Sequence, residues 1–457
     1  MLQKLWNPEI ETLSRAQVCA LEAPLIADQV RYVYRHSPYY REKYDLAGID
    51  PAAIDSHAAL ARLPFTEKSD IALAQQQGEL FGPNQCCDFE RIIRMTCTGG
   101  STGEPTRLGW TRNDIDGYNE MGARALWAMG CRPRDLVISC LNYSMYAGGI
   151  MDHGAFETLG AGILPYSIGN SERLLEMLAR FPPRDAGYSL FMTPSYAVRL
   201  ADLAQQAGID LHRLNVTRGY FSGEAGLQVP GYRDKIEQAW GMHAMDMYGT
   251  AELGVQSGEC EHRNGHHYCG AGQVAAELVD PDSGESMAFE DGSTGELVYT
   301  SLRREACPLI RLRSHDIVRI YTEACACGRH SFRLHTLGRS DDMFIVKGVN
   351  VFPLGIQEGL LRHRPEISAE FFIELKQAPP IDYRPRLCVE VSPTVESSRY
   401  EPLARAIAAT LKQQCNFSAA VELVSQGSIA SEHKTRRLYR AYLGNTAPEL
   451  DVLYRVE

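Results

Sequence analysis

The pattern between residues 136 and 222 limits the possible fold more than any other part of the chain. Apolar runs at 136–141, 159–164, 188–192 and 217–222 have the length of strands, and 171–180 and 195–206 repeat apolar residues at helical spacing. Alternation of this kind is the signature of an α/β domain whose strands are covered on both faces. A further helix is expected over 114–129, and a pair of amphipathic helices within 11–45, carried by Leu13, Val18, Leu21, Leu25, Val30, Val33 and Tyr34. Pro64, Phe65, Thr66, Glu67 and Lys68 predict a turn into a helix with Thr66 as N-cap. From about Gly270 the texture changes: 274–278, 295–299 and 317–320 are strand-like and separated by Asp, Gly, Pro and Ser, which predicts a β-rich region. Beyond Asp341 the order strand, helix, strand, strand, helix, strand describes a small α+β domain. At 457 residues the chain is too long for one core, so division into 1–340 and 341–457 is expected.

Residues 95–106 read Met-Thr-Cys-Thr-Gly-Gly-Ser-Thr-Gly-Glu-Pro-Thr between two strand-like stretches. Glycines and hydroxyls so placed let backbone N–H groups and side-chain oxygens converge on a polyanion. The loop lacks the Gly-Lys-Ser/Thr of the common NTPase cradle, because Gly103 is followed by Glu104 and Pro105. A net charge of −11 argues against nucleic acid as a partner, so any polyphosphate must be held locally. No window has the roughly 20 consecutive apolar residues of a membrane span and the first residues lack a signal-peptide core, so a cytoplasmic protein without membrane contact is expected. Thirteen cysteines then fit reduced thiols, with metal binding as their special use. Cys260 and His267, followed by Cys325 and Cys327, offer the four tetrahedral ligands of a structural Zn2+ site, with His262, His266 and Cys269 as competitors.

Four stretches need a common explanation: 96–105, Asp246 to Glu252 (Asp-Met-Tyr-Gly-Thr-Ala-Glu), Arg311 to Asp316, and Gly338 to Asp342 (Gly-Arg-Ser-Asp-Asp). In this order they resemble the motifs of the adenylate-forming superfamily, with the nearest likeness to phenylacetate:CoA ligase and its aryl-CoA ligase relatives. Tyr39, Tyr40 and Arg41, the stretch from Trp110 to Asp114, Lys347 to Pro353, and Gly427 with Lys434 seven residues later add to the likeness. It covers nearly the whole chain.

The resemblance implies a large N-terminal domain of several subdomains that binds acid and ATP, and a small mobile α+β C-terminal domain. It implies ATP, Mg2+ and CoA as the small molecules used, with an aryl carboxylate activated as its adenylate and passed to CoA. Thr96, Thr98, Gly99, Gly100, Ser101, Thr102 and Gly103 would hold phosphates, although Glu104 stands where family loops usually carry Lys. Asp246, Met247, Tyr248, Gly249 and Thr250 match the adenine segment, with Ser222, Gly223 and Glu224 between acid and adenine. Glu252 matches the Mg-binding glutamate, Asp316 and Arg339 the ribose contacts, with Ser314 and His315 replacing the usual Thr-Gly. Lys434 matches the catalytic lysine, Asp341 the hinge, and Lys347, Gly348 and Asn350 the CoA passage. Tyr143, Tyr146, Gly148 and Gly149 match the acyl pocket, where Asn142, Tyr143 and Tyr146 suit a hydroxy- or amino-benzoate as well as phenylacetate. Several relatives carry a similar Cys, His, Cys, Cys set, and dimers are common among them. Two other readings stay open: a non-CoA acceptor (amine, hydroxyl of a second aryl acid, or carrier-protein thiol), and a zinc-stabilised protein that binds nucleotide without turnover.

Overall fold

The computed structural model describes residues 3–456 except 77, 79, 99–104, 225, 226, 229, 230, 341, 348, 379, 380 and 430–435. The chain divides into two compact units, Met1–Thr336 and Leu337–Glu457. In the first, β1 (Arg94–Cys97) and β2 (Arg107–Trp110) form an antiparallel hairpin apart from the main sheet. The main sheet starts with five parallel strands: β3 (Leu136–Ser139), β4 (Gly162–Pro165), β5 (Tyr188–Met192), β6 (Val216–Phe221) and β7 (His243–Thr250), in the spatial order β4-β3-β5-β6-β7. Each crossover carries a helix, Ala147–Leu159 after β3, Ser171–Arg180 after β4, Pro194–Gln206 after β5 and Tyr232–Trp240 after β6. Residues of β5 are buried throughout, which is why that run reads as uniformly apolar.

Beyond β7 the pairing turns antiparallel through β8 (Gly254–Gly258) and β9 (His266–Tyr268). The sheet continues with β10 (Val274–Val279), β11 (Ser286–Met287), β12 (Thr294–Ser301), β13 (Leu312–Tyr321) and β14 (Arg333–Arg339), giving twelve strands in the order β11-β10-β12-β13-β14-β9-β8-β7-β6-β5-β3-β4. One large core of aliphatic and aromatic residues, among them Phe156, Phe191, Tyr220, Met247, Tyr268, Tyr299 and Phe332, runs along it.

Two expectations shift. Leu159 closes a helix rather than opening a strand, because Gly160 adopts φ 90° as its C-cap and the strand begins only at Gly162. The Ala147–Leu159 helix itself escapes the periodicity reading, since Gly148, Gly149 and Gly154 dilute its pattern. Thr66 does not cap the Lys68–Gln76 helix: its hydroxyl donates to the Ile310 carbonyl at 2.7 Å, and its backbone bridges to Leu312. The second unit holds a five-stranded sheet with the Pro353–Leu361 and Tyr400–Cys415 helices against it, including two strands absent from the sequence reading, Leu438–Arg440 and Val452–Val456.

Candidate active site

Strand order reverses between β3 and β5: the chain leaves β3 towards β4 on one side and returns to β5 on the other. In an open α/β sheet the crevice beyond the carboxyl ends at such a reversal is the default ligand position. The segment that leaves β3 carries Tyr143 and Tyr146. Gly149 admits no side chain, because a Cβ there would stand 2.3 Å from the Asn142 carbonyl oxygen. Tyr143 turns its hydroxyl to His153 Nδ1 at 3.1 Å. The Met145 carbonyl accepts from Cys97 N–H at 2.6 Å, tying this segment to the end of β1.

The β1–β2 hairpin ends in a Thr98–Thr106 pair: Thr98 N–H donates to the Thr106 carbonyl, and Thr106 N–H donates to Thr98 Oγ1, both at 3.0 Å. Gly99, Gly100, Ser101, Thr102, Gly103 and Glu104 lie outside the described residues. Thr96 is buried, and its hydroxyl accepts from Trp110 Nε1 at 2.8 Å, which fixes the strand below the loop. After β6, Glu224 accepts from Ser195 Oγ at 2.8 Å and from Ser195 N–H at 3.2 Å, so it holds the N-terminal turn of the Pro194–Gln206 helix. Gly223, at φ 85°, turns the chain between them.

β7 and β13 bring the next group together. The Tyr248 hydroxyl donates to Asp316 Oδ2 at 2.7 Å, and burial, then the Asp316 charge, pushes the phenol well above its usual range. Gly249 permits the tight β7–β8 return, since a Cβ would meet the Gly254 oxygen at 2.3 Å. Thr250 N–H donates to Gln256, while Met247 and Asp246 point inward. Asp246 pairs with His266 at 3.1 Å; burial alone would lower this imidazole's pKa, but the Asp246 hydrogen bond and charge outweigh it and raise the net value. Glu252 is 3 % exposed and, among the described residues, neither carboxylate oxygen accepts a hydrogen bond, although Lys68 Nζ stands 3.0 Å from Oε1. A buried carboxylate left so poorly satisfied suits a divalent cation's ligand.

Sequence reasoning missed the residues that hold this corner. Lys68 faces Glu252, and its neighbour Glu67 takes His315 Nε2 at 2.9 Å, which gives the departure at His315 a partner. Buried Arg304 lies 3.8 Å over the Trp110 ring and donates to the Glu252 carbonyl. A Glu-Lys pair at a helix start is too common to single out, and Arg304 has no local pattern at all. Two arginines in the Arg311–Asp316 stretch are scaffold. Arg311, 3 % exposed, binds both oxygens of Glu277 at 3.1 and 3.2 Å, donates to the Ala61 carbonyl at 3.0 Å and covers Phe65. Arg313 pairs with Glu296 at 2.5 Å. Arg311→Ala strands the Glu277 carboxylate, and an expected loss of roughly 3–5 kcal/mol is measurable by denaturant unfolding of the first unit.

The second unit carries Arg339, with Asp342 at 3.9 Å, and exposed Lys347 at φ 50° between strands Phe344–Val346 and Val349–Val351. Asn350 lies in the latter strand, paired with Ile345. Asp341, Gly348 and Lys434 lie outside the described residues.

Away from these groups, Cys260, His267, Cys325 and Cys327 bring their ligand atoms within 4.8 Å of one another, all buried. The Sγ atoms of Cys260 and Cys325 are 3.7 Å apart, and His267 Nε2 is 3.3 Å from Cys327 Sγ. Tetrahedral zinc with Zn–S near 2.3 Å would set two sulfurs roughly 3.8 Å apart, so the cluster has the right span. The other His267 nitrogen lies 3.4 Å from Ser331 Oγ, and Arg329 N–H donates to Cys327 Sγ. The Cys327 thiol is pushed down by hydrogen bonds from Cys260 and then His267. His266 is engaged with Asp246, Cys269 donates to the His267 carbonyl, and His262 sits beside Glu261, so the three competitors are turned elsewhere.

Comparison with known proteins identifies the family. Residues 348–440 match the model of the AMP-binding enzyme C-terminal domain. The chain is 35 % identical to a phenylacetate-coenzyme A ligase of Thermus thermophilus over 85 % of its length and 84 % of the relative's. It is 31 % identical to one from Escherichia coli, over 94 % and 96 % respectively. Among solved structures, a 2-hydroxyisobutyryl-CoA ligase in the postadenylation state superposes with a TM-score of 0.86 at 29 % identity, covering 96 % of this chain and 93 % of that one. Sequence motifs, mixed sheet and small C-terminal unit thus converge, and the chain belongs to the phenylacetate-coenzyme A ligase family of adenylate-forming enzymes.

Proposed function

We propose that the protein activates an aryl carboxylic acid, phenylacetate or a hydroxy- or amino-benzoate, with ATP and transfers it to CoA. In the first step a carboxylate oxygen bonds to the α-phosphorus and the bond to pyrophosphate breaks. In the second the CoA sulfur attacks the acyl carbon, and AMP leaves with the electron pair of the acyl–oxygen bond. Neither step needs a protein nucleophile; both need alignment of repelling anions and donors fixed in advance. The observation that carries this reading is the gathering of Glu252, Tyr248 and Asp316 at the far end of β7, with the Thr98–Thr106 hairpin tied to the acyl segment by Cys97.

Asp316, held by Tyr248, would accept the ribose hydroxyls, and the loop closed by Thr98 would donate to the phosphates. Mg2+ bound at Glu252 would neutralise charge on those phosphates. Lys434 would bridge the α-phosphate and the attacking carboxylate, a task for a compact ammonium. Rotation about Asp341 would exchange it for the Lys347–Asn350 turn, which lines the CoA passage. A structural zinc ion held by Cys260, His267, Cys325 and Cys327 would fasten β9 to the segment before β14. The free thiols of all thirteen cysteines agree with a cytoplasmic setting, and no helix among the described residues is long and apolar enough to cross a membrane.

The test is pyrophosphate release across benzoates, phenylacetates and small 2-hydroxy acids, with and without CoA. Release tied to one aryl acid together with its CoA thioester is the expected result. Release without thioester would replace CoA by another acceptor, and no release with any acid would leave only a nucleotide-binding protein.

A further inference from the structure

The Ala147–Leu159 helix starts at the carboxyl end of the parallel strands, because it follows β3 directly. Gly148, Asp152 and Phe156 share one face at four-residue spacing. That face looks towards the sheet, since the Phe156 ring meets Phe191 on β5 at 5.3 Å and Tyr220 on β6 at 5.8 Å. One turn nearer the helix start, Asp152 therefore lies beside the crevice where such sheets hold ligands.

Asp152 is 3 % exposed. Its Oδ1 accepts from the Tyr118 hydroxyl at 2.7 Å, and among the described residues no other donor reaches the carboxyl. Burial lifts its pKa to about 7, opposed by the Tyr118 hydrogen bond. A Cβ on Gly148 would stand 3.8 Å from Oδ2, so the absent side chain leaves that oxygen approachable from the start of the helix. The charge of Asp152 is felt by Tyr143, and Tyr118 packs with Ala147, Met151 and Ala251, the residue before Glu252. The carboxyl thus sits near Tyr143 and, through Tyr118, near Ala251 of the adenylation corner, with Oδ2 accepting no hydrogen bond among the described residues. An acceptor oxygen with no protein donor and space beside it can take a hydrogen bond from a ligand.

We infer that Asp152 is a specificity-determining residue at the polar end of the acyl pocket, selecting aromatic acids that carry a hydrogen-bond donor, an amino or hydroxyl group. This rests on the ligase reading above and names the substrate class of the same site. Tyr118 is its positioning residue, fixing Oδ1 so that Oδ2 faces the substituent.

The experiment compares kcat/KM for pyrophosphate release with matched acids: benzoate and phenylacetate against their amino-, hydroxy- and methoxy-substituted forms. Wild type is expected to favour the best donor-bearing acid over its parent by roughly 10–100-fold, the worth of one hydrogen bond to a charged group. In Asp152→Asn the amide can keep an oxygen for Tyr118 only by turning its N–H donors to the ligand. The donor preference should therefore collapse, and the methoxy acid should gain on the amino acid of the same pattern. A purely structural role would scale all acids alike. Tyr118→Phe, which removes only the partner of Oδ1, should weaken the preference and serves if the Asn variant does not fold. A wild type that prefers the unsubstituted acids, or a donor-to-parent ratio unchanged in folded variants, overturns the inference while leaving the ligase reading intact. Absence of pyrophosphate from wild type with every acid overturns that reading, and this inference with it.

Discussion

Glu252→Gln is expected to lower acid-dependent pyrophosphate release by roughly 10²–10³-fold, the range lost when one preorganised charge contact to a transition state is removed. The melting temperature of the protein without nucleotide should not fall. Both parts follow from the geometry. The carboxylate is buried, accepts no hydrogen bond among the described residues, and faces the ammonium of Lys68, whose side chain is one-third exposed, with the buried Arg304 charge close enough to be felt. Exchanging the charge for an amide thus removes a desolvated anion at little structural cost, since Lys68 reaches water. The opposite substitution separates the two roles: Lys68→Met leaves Glu252 buried and unpaired, and should lower the melting temperature. Assay of pyrophosphate release against Mg2+ concentration, paired with thermal unfolding, checks both. Equal losses of activity and stability in Glu252→Gln would mark Glu252 as scaffold.

With zinc at the proposed four-ligand site, Cys327→Ser should abolish its binding and lower the melting temperature of the first unit by about 10 °C, at roughly 2–4 °C per kcal/mol for a large domain. Zinc content measured on purified protein should fall from about one ion per chain, the number expected for one closed four-ligand site. Cys327 contributes most because two partners meet on it: His267 Nε2 at 3.3 Å and the backbone N–H of Arg329 at 3.4 Å. A strong chelator should reproduce the shift in wild type and leave the variant unmoved. Unchanged melting with no zinc in either protein would make the cluster an ordinary set of core thiols.

Much of the fold was legible because strands buried on both faces leave uninterrupted apolar runs, as in β5, whose bounds coincide with the sequence reading. The Ser171–Arg180 helix was equally plain, with Leu174, Leu175 and Leu178 buried on one stripe. What escaped was set by tertiary contact. The Ala147–Leu159 helix forms despite its glycines because Ala155 packs against Gly122, where a Cβ would fall within 2.6 Å. The Cys/His cluster with His267 was readable from Cys-X-Cys and the Cys260–His267 spacing, while the strand pairing that places His267 opposite Arg333 and sends His266 to Asp246 is what separates it from its competitor. Lys68, Glu67, Arg304 and Asp152 meet their partners across long stretches of chain, so no local spacing announces them.

The large sheet also ends in a particular way. Its outermost strands are β4, four residues finishing in Pro165, and β11, only two residues long. A strand edge invites another chain to add itself, and shortness together with a residue that lacks an N–H withholds the template for such growth. Twelve strands can therefore be joined in one sheet with little invitation to fibrous self-association.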